Sequence, residues 1–161
     1  MTLRAAAAAL ILATLPLLAA CQPTNGTAGS IERSPAGLEQ VPLTVTTTAG
    51  KTHRFTVEVA RTEAQQAQGL MNRESLAPDR GMIFPYDPPV AASFWMKNTL
   101  IPLDIIFIRA DGTIARIEAN TAPLSLEPVA AGELVGAVLE LAGGRAAELG
   151  ITPGARVEWA R

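Results

Sequence analysis

From Val41 onwards the apolar positions fall in short runs, and their period is that of strands. Val41 to Thr48 is rich in β-branched residues, and Ala49-Gly50-Lys51 follows as a turn. Thr52 to Ala60 alternates, with Phe55, Val57 and Val59 on one face and Arg54 and Glu58 on the other. The period then changes: Thr62 and Gln65 form a capping-box pattern, and Ala64, Ala67, Leu70 and Met71 recur at helical spacing, predicting a helix that ends near Asn72 or Arg73. Met82 to Phe84 predicts a short strand stopping at Pro85, and Ala91 to Met96 predicts another after the Asp87-Pro88-Pro89 turn. Ile105 to Ile108 is a continuous apolar run, and Asp111-Gly112 predicts a hairpin into Thr113 to Glu118. Leu134 to Leu141 predicts a further strand. Gly143 to Leu149 reads as a helix stopped by Gly150, and Ile151 to Ala160 closes with a Pro153-Gly154 turn and a last strand. Many short strands and two short helices predict a mainly β single domain over residues 41–161, a sandwich or a distorted barrel.

Upstream the pattern is different. Arg4 precedes an apolar run from Ala5 to Leu18, too short for the roughly 20 residues of a membrane-spanning helix. Leu18-Ala19-Ala20-Cys21 resembles the lipobox of bacterial lipoproteins. That resemblance implies a signal peptide over residues 1–20, cleavage before Cys21, and acyl chains on Cys21 as a membrane anchor. Gln22 in place of aspartate favours the outer membrane over the inner, with the domain facing the periplasm. Residues 21–40 carry Thr, Gly, Ser, Pro and isolated charges, and read as a flexible tether spanning about 20–25 Å.

Cys21 is the only cysteine, so no internal disulfide or thiolate metal site is available. The formal net charge of −2 argues against nucleic acid as a partner. Enzyme signatures are missing: there is no nucleophile elbow, histidine dyad or phosphate-cradling glycine loop. No cofactor is expected. Thioethers at Met71, Met82 and Met96 suit Cu(I), but they also fill core gaps, and their apolar neighbours favour the core.

The densest chemistry lies between Gly69 and Asp104. Gly69-Leu70-Met71, Gly81-Met82-Ile83-Phe84 and Trp95-Met96-Lys97-Asn98-Thr99 leading to Pro102-Leu103-Asp104 resemble, in order, motifs of the DUF192 (UPF0127) family. So do the apolar strand ending at Glu140 and the following Gly143-Gly144. The resemblance spans about residues 41–160. It implies a mainly β fold of sandwich type and brings no reaction, substrate or cofactor.

Trp95, Lys97, Asn98 and Thr99 gather an apolar ring, a cation and two hydrogen-bonding side chains within five residues. Asp104, past a proline turn, is placed to meet Lys97 or Asn98, and Arg73 to add a second cation. The competing reading is a structural corner in which Asn98 and Asp104 bond backbone amides, Trp95 fills the core and Lys97 is solvated. Arg73, Asp79 and Arg80 read first as loop charges facing water. Glu140, in an apolar strand, is expected to be partly buried and held in a structural ion pair rather than acting as a general acid. The expectation is a lipid-anchored envelope module that binds a small ligand or an envelope protein without catalysis. The alternatives are an envelope-polymer hydrolase using Asp104 or Glu140, and a purely structural protein.

Overall fold

A computed structural model of the chain describes residues 33–160. The apolar run, Cys21 and the tether up to residue 32 lie outside the described residues. Arg33 to Glu39, expected as the end of the tether, forms a closed turn instead. Arg33 and Glu39 bridge, Gly37 N–H donates to Ser34 O at 2.8 Å, and Arg33 Nη1 donates to Gly37 O at 2.8 Å. Gly37 makes the reversal possible by taking φ +78°.

The β-branched run Gln40–Thr46 forms β1, and the alternating segment Thr52–Val59 forms β2, paired antiparallel with it. Thr62 caps helix α1 (Glu63–Gln68) with the reciprocal Gln65 bonds of a capping box. The helix stops earlier than its pattern predicts. Gly69 leaves the helical region at φ +48°, and Asn72 N–H then bonds Asn98 O at 2.8 Å, turning the chain towards the 95–99 loop.

Strand β3 (Arg80–Val90) runs in parallel with β2 and antiparallel with β8 (Val135–Ala142). It does not stop at Pro85, as expected. The register with β8 shifts between Pro85 and Val90, an irregularity that accommodates both the missing proline N–H and a cis Asp87-Pro88 bond. The strand expected over 91–96 shrinks to β4 (Ser93–Phe94), paired only with β7 (Val129–Ala130) in a separate two-stranded sheet.

β5 (Leu103–Ile108) and β6 (Ile114–Thr121) form the hairpin signalled by Asp111-Gly112, with Thr113 N–H donating to Asp111 Oδ1 at 2.9 Å. Two bonds from Thr113 hold the Asp111 carboxyl below its usual range. Helix α2 (Arg145–Leu149) and β9 (Arg156–Trp159) complete the chain.

The large sheet has the order β6-β5-β8-β3-β2-β1-β9. A bridge between Thr113 and Arg156 joins the two edges, so the sheet curls into a half-barrel. The expected mainly β domain with two short helices is therefore what forms. Its apolar residues divide by strand parity into two cores. Val41, Leu43, Phe55, Val57, Ile83, Ile106, Leu139 and Leu141 pack inside the curl with Ala146 of α2. Met82, Phe84, Ile105, Phe107 and Val138 point to the other face, where Ala60, Leu70, Ala92, Met96 and the small sheet cover them. This second layer builds the site, because the outer faces of β3 and β8, and Glu58 at the end of β2, meet protein rather than water.

Candidate ligand-binding site

β8 lies between β3 and β5, with Glu140 opposite Met82 on one side and Ile105 on the other. Glu140 therefore shares their face and projects into the second core, and it is 5% exposed. Its Oε2 is buried without a hydrogen-bond partner. Burial pushes the Glu140 carboxyl up to about 8, and the Arg73 guanidinium pulls in the opposite direction. The ion pair expected for Glu140 does not form, because Arg73 is committed elsewhere. Its Nη1 and Nη2 each donate to a Glu58 carboxylate oxygen at 2.7 Å in a bidentate pair.

Glu140 lines a cavity of about 230 Å³ with Phe84 and Tyr86 of β3, Phe94, Trp95 and Thr99 from the 93–99 segment, and Gly69, Leu70 and Met71 after α1. The register shift in β3 sits beside Tyr86, whose phenol is pushed up to about 12 by burial and by the Glu140 charge. Phe84 and Phe94 meet edge to face with centroids 5.0 Å apart. Trp95 is half exposed at the rim, and the Lys97 ammonium lies 5.1 Å from its ring centroid.

The residues singled out from the sequence separate into three places. Trp95, Thr99 and Glu140 line the cavity. Lys97 stands outside it against Trp95. Asn98, at φ 55°, spends its backbone carbonyl on Asn72, and its amide reaches Met71 Sδ at 3.9 Å. The expectation that Trp95 fills the core as part of a structural corner is not met, since half of the residue faces solvent.

Asp104 leaves the site altogether. It is paired with Leu141, so it points to the inner face, opposite to Glu140. There its Oδ1 accepts from Asn120 N–H at 2.7 Å and Gly144 N–H at 2.8 Å, and its Oδ2 accepts from Ala146 N–H at 2.7 Å. It meets neither Lys97 nor Asn98 as expected, because the strand parity aims it at the start of α2. Arg73 adds no cation to the Trp95 cluster for the reason given above; it lines a neighbouring groove with Glu58, Gln40 and Arg80. Asp79 is solvent-facing on the turn before β3, 3.8 Å from Arg80. Met82 and Met96 are core residues, with Thr121 Oγ1 3.1 Å from Met96 Sδ, whereas Met71 lines the cavity.

Glu58 and Tyr86 escaped sequence reasoning. Glu58 occupies the polar phase of an alternating strand and so reads as solvent-facing. The one available signal was a second apolar set on β3 and β5, Met82, Phe84, Ile105 and Phe107, which requires a covering layer over the same face.

The DUF192 family model, described as an uncharacterised ACR, matches residues 44–159. A protein of unknown function from Novosphingobium aromaticivorans is 50% identical in sequence, with a TM-score of 0.78 over 82% of this chain and 94% of that one. A protein from Sinorhizobium meliloti, described as a candidate transcription regulator, is 42% identical, with a TM-score of 0.74 over 76% of this chain and 95% of its own. No curated protein matches the chain.

Proposed function

The chain belongs to the DUF192 family, and from that premise we propose that it is a lipid-anchored cell-envelope domain that binds a small ligand, without catalysis, in the cavity beneath Trp95. One observation carries the binding reading: a buried carboxyl oxygen of Glu140 has no partner in an aromatic-walled cavity. Buried polar groups in folded proteins are almost always satisfied, and a group left open costs about 1–3 kcal/mol unless something binds it. Aromatic walls with a few convergent polar groups are the usual make-up of small-molecule sites.

The anchor rests on Leu18-Ala19-Ala20-Cys21 and its preceding apolar run, with Gln22 favouring the outer membrane. For the hydrolase alternative, which used Asp104 or Glu140, a mechanism joining the two carboxyls is disfavoured, since they lie on opposite faces of the sheet. The regulatory role in the description of the Sinorhizobium protein is not carried over, because a net charge of −2 opposes phosphate binding.

A bound ligand stabilises the native state by RT ln(1 + [L]/Kd), so fractionated small molecules from envelope extracts should include one that raises the Tm of the protein. The same fraction should leave Trp95→Ala unmoved. Equal shifts in both proteins, or none in either, would overturn the binding reading.

A further inference from the structure

What the cavity presents also constrains the occupant, and this step rests on the binding reading above. We infer that the pocket beneath Trp95 recognises a small organic cation, with an alkylammonium group seated between its aromatic walls and the Glu140 carboxylate.

Charge is the first reason. Met82 and Ile105 flank Glu140 across the sheet, Gln66 and Gln68 of α1 line the cavity, and the Tyr86 phenol comes from β3. The charged groups nearby are Glu58 on β2, Arg73 after α1 and Lys97 at the rim; Glu58 and Arg73 pair through two bonds of 2.7 Å, and Lys97 stands outside the cavity against Trp95. Glu140 is thus left as an acidic group without a counter-charge in the cavity. An anionic ligand would meet that carboxyl and the negative faces of the rings, whereas a cation meets complementary charge on both.

The walls are the second reason. Phe84, Tyr86, Phe94 and Trp95 surround the space with π systems, and Met71 adds a polarisable thioether. The ring of Trp95 already holds one ammonium, that of Lys97, 5.1 Å from its centroid. Weakly hydrated alkylammonium groups suit such a site, because the carbon shell makes dispersion contacts while the charge faces the rings and the carboxylate.

Proton linkage gives the inference a signature of its own. The Glu140 carboxyl, raised to about 8, is mostly protonated near neutral pH. Seating a cation favours the ionised form, so binding at pH 7 releases a proton, and affinity falls about tenfold per pH unit below the raised value. A neutral ligand that accepts from the protonated carboxyl has the opposite dependence.

The test is calorimetry on the purified full chain with choline and with its uncharged carbon isostere, 3,3-dimethylbutan-1-ol, at pH 6, 7 and 8 and in two buffers of different ionisation enthalpy. Choline should bind at least about tenfold more tightly than the isostere at pH 8 and release close to one proton at pH 7. Glu140→Gln, which keeps the side-chain shape, should abolish that preference and the proton release while changing isostere affinity less than about twofold. Binding of phosphatidylcholine vesicles over phosphatidylglycerol vesicles would assign the cation to a lipid headgroup, and binding of soluble choline alone would assign it to a free molecule. Either result supports the cation. Isostere binding equal to that of choline and lost in Trp95→Ala would overturn the cation inference and leave the ligand site standing. Binding of neither probe, with no perturbation of resonances from Trp95 or Thr99, would overturn the cation inference, while the extract screen alone decides the binding reading.

Discussion

At the scale of single residues, the centre of the site is a conflict between Glu140 and its surroundings. A carboxylate surrounded by Met82, Ile105 and Phe84 loses its hydration, and the folded state responds by holding the proton to about 8. In the unfolded chain the same group ionises near its ordinary value of about 4.3. Between those two values the folded form binds more protons than the unfolded form, so stability falls as the pH rises, and the loss is complete above about pH 8. Glu140→Gln removes the ionisation. It should raise Tm relative to the parent at pH 8 to 9, by an amount equivalent to a few kcal/mol at most, with the difference fading towards pH 4. Thermal melts of the two proteins across that range check the sign. The burial of Glu140 was legible from its place in an apolar strand. Its lack of a partner was not, because Arg73 is bound by Glu58, and only the fold decides which carboxylate the guanidinium reaches.

At the scale of elements, Asp104 shows how strand parity overrides sequence proximity. It follows the Trp95–Thr99 segment closely in the chain, yet one step along β5 turns its side chain to the other face. There it ties the end of β6 through Asn120 to the start of α2 through Gly144 and Ala146. Asp104→Ala strips acceptors from three backbone donors and should cost about 3 kcal/mol or more, read as a lower denaturant midpoint. Ligand affinity per folded molecule should stay unchanged, which separates this staple from the cavity residues. The elements with strong local signals were legible: the Thr62 capping box and the Asp111-Gly112 hairpin both form as their patterns dictate. The length of β3 and the small β4–β7 sheet were not. Pro85 signals an end in isolation but is tolerated at a register shift, and β4 gains its partner from a segment 35 or so residues away, a non-local contact that no periodicity reports.

At the scale of the whole molecule, the curled sheet carries one core inside and a second outside, and the cavity beside Glu140 opens in the layer that covers the outside. The mainly β architecture was legible from the spacing of strands and turns. The double-sided burial was not, because alternation on β2 suggests a wet outer face, which holds at Thr52 and Arg54 but not at Glu58, where the covering layer makes it dry. Position in the cell belongs to the same scale. Cys21→Ser removes the acyl acceptor and should move the protein from the membrane fraction to the soluble fraction after osmotic release, and an unchanged distribution on fractionation would contradict the proposed anchor. The central claim, that Glu140 is an open anchoring group rather than a satisfied structural one, is tested most directly by NMR titration of its side-chain carboxyl carbon, with Glu140→Gln identifying the signal. A midpoint near 8 is expected in the free protein, falling to about 6 or below in saturating choline. A midpoint in the ordinary glutamate range, or one that choline leaves in place, would contradict it.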